Sequence, residues 1–457
     1  MAPPRRVFDA LNSLGLTPVL LSLTQARAVF FVTFATVAVG LMTLLQDVLV
    51  AATFATGTSV DAYQLAIALP MASINIFAGG TLQSLLIPIF VRTEHSGGRI
   101  AAARLLAWTY KALSIVLFSA VVSLIALFMV GAPWVATSFS DNTLSLSRTL
   151  FWSILPLFYF GSLSSLYITA LNSIRAHTLA ALLPILTPLS AVAALMMFGT
   201  LTGIAAVAWG ASIGAFLQFL LARTFVCRQG YGTTEAALPA GISSRISRDY
   251  WQLVAAATLL GGILLTDIAL AAAQAPGDTA TFGFASRPVM LGLAFLTIIA
   301  TNITLPHFSD LVTTQNWTGL ARSYLAWVRL LLMISVPVIV LCHMFANDIV
   351  SLIYQRGAFG TVESQRVAQI LSILIWQVPF YLTAMIGLRV ANAIGKNYVL
   401  LLIALSCYLL NLVMGLLLVR SHGLGGIAAA TAITFAAWAG LVTYYVNGLC
   451  RKRINVP

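Results

Sequence analysis

Ionisable side chains are scarce in this sequence, so the few that interrupt its apolar runs are the ones whose chemistry needs a reason. Asp47, Asp61, Asp267, Arg287 and Arg389 stand inside or at the edge of long stretches of aliphatic and aromatic residues. A charge in such a place is costly and by default marks a substrate site, an ion path or a proton relay. Asp267 closes the segment Gly261-Gly262-Ile263-Leu264-Leu265-Thr266-Asp267, with no base near it in sequence, and is the candidate for coupling to a cation. Arg287 follows Phe284-Ala285-Ser286 and precedes Pro288. Two readings stand for it, a counter-charge for Asp267 and a binder of an anionic headgroup. Asp47 lies late in one run and Asp61 opens the next, where an interfacial cap explains Asp61 as well as a functional role does. Arg389, near the end of its run, reads as a side chain snorkelling to the interface. Other chemistry has no motif: neither G-x-x-x-x-G-K-[ST] nor H-E-x-x-H occurs, and Cys227, Cys342, Cys407 and Cys450 lack ligand-like spacing. No metal, cofactor or catalytic residue is expected, and the chain does not read as an enzyme.

The elements that would position these groups follow from composition. Of 457 residues 60% are hydrophobic and 8% charged, against about 25% charged in a soluble globular chain. So few charges cannot cover a soluble body of this size. Continuous apolar runs such as Leu113–Val130 exclude a β-barrel, whose strands alternate apolar and polar residues. The expected fold is all-α and polytopic, with about twelve transmembrane helices. These fall at 28–54, 61–91, 104–131, 146–172, 177–200, 202–226, 249–274, 279–307, 323–352, 364–391, 397–419 and 424–448. The net charge of +12 is scattered at span ends rather than gathered into a nucleic-acid-binding face. With twelve spans, eighteen Lys and Arg fall on one side and only Arg148, Arg356, Arg366 and Arg420 on the other, which places both termini in the cytoplasm. No A-x-A-like cleavage site follows a short apolar run, so residues 1–25 are expected to stay attached. Arg5, Arg6, Phe8, Leu11, Leu14 and Leu16 suggest a short helix on the inner surface.

The chain also repeats. Pro70 and Pro88 recur as Pro288 and Pro306, and Gly203-Ile204-Ala205-Ala206 returns as Gly426-Ile427-Ala428-Ala429. Parallel repeats of six spans are typical of alternating-access transporters, with substrate between the halves. The expected organisation is an interfacial segment at 1–27, a first lobe at 28–226, a cytoplasmic loop at 227–248, a second lobe at 249–448 and a basic tail at 449–457. Proline and glycine inside a span free backbone groups and permit bending, which makes Pro70, Gly79, Gly80 and Pro288 hinge candidates.

From Gln46 to Thr93 the segments Asp47-Val48-Leu49-Val50-Ala51, Ser59-Val60-Asp61-Ala62-Tyr63, Leu69-Pro70, Ile76-Phe77-Ala78-Gly79-Gly80 and Leu86-Ile87-Pro88 follow in order. Phe284-Ala285-Ser286-Arg287 and Tyr354-Gln355-Arg356-Gly357-Ala358-Phe359 follow in the second half. This pattern resembles the lipid II flippase family (MurJ, also called MviN) of the multidrug/oligosaccharidyl-lipid/polysaccharide exporter superfamily. The resemblance implies two six-helix lobes around a central cationic cavity and a polyprenyl-pyrophosphate-linked sugar as substrate. It carries Asp47, Asp61 and Arg287 onto functional positions and sets Asp267 near a polar cavity residue. Where the family reads Ser-Arg-x-x-Gly-x-x-Arg-Asp, this chain reads Val39-Gly40-Leu41-Met42-Thr43-Leu44-Leu45-Gln46-Asp47. Gln46 thus replaces an arginine, and Ile74-Asn75 replaces a basic pair, leaving Gln46 and Asn75 as neutral cavity residues. Two further C-terminal helices of the family, which form a lipid groove, are not expected here.

A cavity short of three positive charges should hold pyrophosphate differently, because charge-assisted pairing is among the stronger contacts. The expected function is therefore a flippase carrying another lipid-linked glycan, such as an exopolysaccharide repeating unit, to the outer leaflet of the bacterial cytoplasmic membrane. Lipid II flipping, cation-coupled export of small amphipathic compounds and a non-transporting scaffold are the alternatives. The expected partners are the lipid-linked glycan, membrane lipids and envelope-synthesis glycosyltransferases or a polymerase.

Overall fold

The computed structural model describes residues 23–232, 242–394 and 397–454. The expected interfacial helix at Arg5–Leu16 and most of the loop around Glu235 lie outside the described residues. Everything described is helix or turn. The helices are α1 (Leu23–Phe54), α2 (Thr58–Phe77), α3 (Gly80–Val135), α4 (Asp141–Ser173), α5 (His177–Leu182), α6 (Leu186–Thr202) and α7 (Ala205–Val226). They continue as α8 (Ile242–Ala272), α9 (Asp278–Thr313), α10 (Trp317–Met344), α11 (Ala346–Tyr354), α12 (Thr361–Leu374), α13 (Gln377–Ile394) and α14 (Asn397–Ile454). Nine stretches among the described residues are long and apolar enough to cross a bilayer. Two of them double back, α3 at Gly98 (φ +70°) and α14 at Gly423 (φ +53°), and the 36-residue α9 supplies one more crossing. The twelve expected spans are all present as helix.

Contacts gather the chain into two compact units. One comprises Phe30–Phe284 together with Ser351–Ser364, and the other contains Ala285–Val350 and the chain from Gln365 onward. In the first unit α4 is the central post, its face from Leu150 to Leu171 largely buried. Lipid cannot drive apolar helices together, so small residues and polar glue set the packing. A Cβ on Gly214 of α7 would stand 2.5 Å from the Leu186 carbonyl oxygen of α6, so only glycine permits this approach. Gln218 of α7 accepts from Thr187 of α6 (3.0 Å) and donates to Ser164 of α4 (2.8 Å). In the second unit α10, α13 and α14 pack through the Tyr324–Thr443 hydroxyl pair at 2.8 Å and a Tyr381–Phe435–Trp438 ring cluster. Cys407 and Cys450 are buried, as small core residues should be, whereas Cys227 is exposed at the head of a π-turn over Cys227–Tyr231.

The segment 351–364 is sequence-distant from the rest of the first unit yet fastened to it at several points. The Ala358 N–H donates to the Ala52 carbonyl at 2.8 Å. Phe284, Tyr354 and Phe359 form a ring trio with centroids 5.3 to 5.8 Å apart, each 1% exposed or less. Gly357 makes the approach possible: its φ is +56°, and a Cβ there would lie 2.4 Å from the Ala52 oxygen.

Gly357→Ala should therefore cost two things at once, and Gly98→Ala only one. Gly98 has φ +70° but open space around it, so its substitution should cost about 1–2 kcal/mol of left-handed strain. Gly357→Ala should cost at least twice as much, read from unfolding midpoints of the two detergent-purified variants. Equal losses would mean that the approach to Ala52 adds nothing.

Candidate functional site

Asp61 sits in the first turn of α2 and is fully buried. No lysine or arginine lies within ten residues of it in sequence, and its carboxylate is supplied instead by backbone. One oxygen accepts the Gly277 N–H and the other the Ala280 N–H at 2.8 Å. Those amides belong to the head of α9, where the first N–H groups of any helix lack internal acceptors. The positive end of the helix dipole lies there too. Asp278 completes the turn by accepting the Ala275 N–H at 3.2 Å. Asp61 is thus a helix cap donated by a different helix, joining the first half of the sequence to the second.

The contact continues along α2. Gln64, one turn later and 6% exposed, lies against Gly283 of α9, where a Cβ would come within 2.8 Å of the Gln64 side chain. At the far end of α2 the Tyr250 hydroxyl of α8 donates to the Phe77 carbonyl at 2.8 Å, filling one of the acceptors that a helix C-terminus leaves open. Both ends of α2 are therefore tied to the second half of the sequence, Asp61 capping the head of α9 and Tyr250 capping the tail of α2. Immediately beyond the second cap the helix breaks: Ala78 leaves helical geometry, and Gly79 has φ −65° and ψ −128° before α3 begins. The hinge candidates divide accordingly. Gly79 lies in the break and Gly80 opens α3, whereas Pro70 and Pro288 lie within α2 and α9.

The remaining candidates scatter. Asp47 on α1 and Asp267 on α8 are buried, 6% and 2% exposed, in the same unit as Asp61. Each engages in a further interaction. Among the described residues no three His, Cys, Asp or Glu are grouped so as to hold a metal ion. Gln46 is half-buried beside Asp47, and Asn75 is exposed on the last turn of α2. Arg287 is half-buried in the second unit. It stands seven residues past Ala280 in α9. The Asp61 cap thus fixes the head of the helix that carries the arginine. Arg389 does not fully snorkel: its Nε is sealed and finds no acceptor among the described residues. Sequence reasoning missed the Tyr250 cap, for which a lone tyrosine gives no signal, and the Gln64–Gly283 contact.

A family model described as lipid II flippase MurJ matches residues 50–454. A probable lipid II flippase MurJ of Rickettsia prowazekii (strain Madrid E) is 23% identical over 447 residues, 95% of this chain and 86% of that protein. The namesake protein of Treponema pallidum (strain Nichols) is 22% identical over 340 residues, 72% of this chain. The chain spans just under two thirds of that relative, 64%. A solved lipid II flippase MurJ in an inward closed conformation superposes with a TM-score of 0.77 at 19% identity, covering 92% of this chain and 87% of that one. An inward-facing multidrug resistance MATE family transporter of the MOP superfamily gives 0.76 at 13% identity, covering 93% and 99%. At these identities the structural likeness shows the fold.

Removing the cap tests its part in the fold. Asp61→Ala orphans two buried N–H groups and should destabilise by about 3–6 kcal/mol, taking about 1.5–3 kcal/mol for each bond to a charged group. Asp61→Asn keeps one acceptor but turns an amide N–H₂ toward the other donor, and should fall between. Unfolding midpoints of the detergent-purified variants order the three; an Asp61→Ala midpoint equal to wild type would remove the cap from the account.

Proposed function

Because this chain belongs to the lipid II flippase MurJ family, we propose that it is a flippase of the bacterial cytoplasmic membrane that carries lipid II, rather than an enzyme. The observation that carries this reading is the family match over residues 50–454. The exopolysaccharide unit expected from the neutral Gln46 and Asn75 gains nothing from the comparisons: the relatives named above are lipid II flippases. The likeness to a MATE transporter is one of fold and does not favour a small-compound exporter.

In this reading the lobes 28–226 and 249–448 alternate around the headgroup, with both termini in the cytoplasm. Arg287 pairs with the pyrophosphate, since a guanidinium presents two parallel donors to phosphate oxygens. Gln46 and Asn75 offer neutral hydrogen bonds where a charge is not needed, and Asp47 borders them. Asp267 takes up the coupling cation, consistent with a buried carboxylate late in a membrane-spanning helix. The Gly79–Gly80 break, with Pro70 and Pro288, accommodates the bending between states.

The test is headgroup accessibility in vesicles reconstituted with the full chain. Labelled lipid II should become accessible from the far side faster than a labelled polyprenyl-pyrophosphate repeating unit. Arg287→Ala should slow lipid II at least tenfold, on the scale of about 1.5–3 kcal/mol for a lost charged contact, while retaining the wild-type unfolding midpoint. Equal rates for wild type and Arg287→Ala would remove that residue from binding. Preference for the repeating unit would reinstate the exopolysaccharide reading.

A further inference from the structure

The second unit carries an open groove of about 470 Å³ between α10, α13 and the last part of α14. Its walls are Leu332 and Phe380, and its floor is Ala436, Ala439 and Gly440. Those three positions share one face of α14 at helical spacing, and a Cβ on Gly440 would meet nothing within 4 Å. Three hydroxyl residues also line it: Thr383 donates to the Pro379 carbonyl and Thr443 pairs with Tyr324, so both of these are spent, while Tyr444 stands at one end. The groove is therefore apolar along its length, and on the scale of ligand pockets generally.

Its character changes at one end. The floor face continues through Tyr444, which is 81% exposed, to the half-buried Asn447. One turn further stands Arg451, with Lys452 beside it, both exposed. Arg453 is engaged elsewhere, its guanidinium 5.4 Å from the Trp317 ring centroid. An apolar channel, an amide at its mouth and two uncommitted cations one turn beyond match the order of parts in an anionic lipid: chain, ester region, phosphate. Basic residues at the ends of helix-lined pockets recognise such headgroups, and each cation near an anionic leaflet adds about 1 kcal/mol.

We propose that this groove is a binding site for one anionic phospholipid of the surrounding bilayer, its acyl chain over Gly440 and its phosphate at Asn447, Arg451 and Lys452. The site is separate from the flipping reading and stands without it. Neutral phospholipid fits the channel but not the cations, so selectivity resides in Arg451 and Lys452.

The experiment uses the purified full chain in phosphatidylcholine nanodiscs, doped with phosphatidylglycerol or phosphatidylcholine bearing a photoactivatable acyl chain. Crosslinked peptides are mapped by mass spectrometry. The anionic probe should label residues 436–447 about fivefold more than the neutral one, within what two surface cations supply. Gly440→Leu should abolish the labelling by filling the channel. Arg451→Gln with Lys452→Gln, at exposed positions that leave the fold intact, should bring the two probes level. Equal labelling of wild type by both probes, or labelling that survives in a monodisperse Gly440→Leu protein, would overturn the proposal. So would displacement of the probe by a polyprenyl pyrophosphate at concentrations where phosphatidylglycerol fails to compete, which would assign the groove to a transported lipid.

Discussion

A carboxylate sealed from water in a membrane-spanning bundle has to be given donors, and Asp61 obtains them from the head of another helix. The arrangement solves two problems together. The first amides of α9 need acceptors, and the Asp61 charge needs donors, which those amides supply. Because the two partners lie more than two hundred residues apart, the contact closes a large loop of chain and fixes where α9 begins. The Tyr250 hydroxyl does the same at the opposite end of α2, so α2 is a strut with both ends held. The break at Ala78–Gly79 comes directly after the second hold.

The fastening of residues 351–364 obeys the same rule with weaker groups. A carbonyl near the end of α1, where helix acceptors run out, is met by the Ala358 N–H, and Gly357 removes the side chain that would keep them apart. The Phe284–Tyr354–Phe359 trio then buries the apolar surface around the joint. Orphaned backbone groups at helix ends thus recur as the points where distant segments attach. In a bilayer this is expected, since an unsatisfied amide or carbonyl cannot turn to water.

Hydropathy made the twelve crossings legible, because each span must be about as long and as apolar as the bilayer is thick. It also picked out Asp61, Asp47 and Asp267 as misplaced charges, and all three are buried. Their partners were not legible. Asp61 bonds to backbone N–H groups, which every residue but proline possesses, so no side-chain pattern could point to Gly277 and Ala280. Tyr250 was invisible for the converse reason, since its partner is a carbonyl. The Tyr354–Phe359 segment appeared only as a resemblance, although its glycine and two rings are what the joint at Ala52 and Phe284 requires. For Arg389, position along a helix gives depth but not direction. Its sealed Nε depends on which face of α13 it occupies.

The repeated prolines show how one pattern is used in two ways. Pro70 and Pro288 lie 218 residues apart, yet α2 ends seven residues after Pro70, whereas α9 runs on for 25 residues beyond Pro288. The first copy carries Gly79 and Gly80 where the chain breaks; at the same offset the second copy reads Thr297-Ile298 and stays helical. The first copy contributes the capping carboxylate, and the second contributes the capped amides and the arginine. A flexible element and a charged one are thereby placed on different copies, tied by the Asp61 bonds.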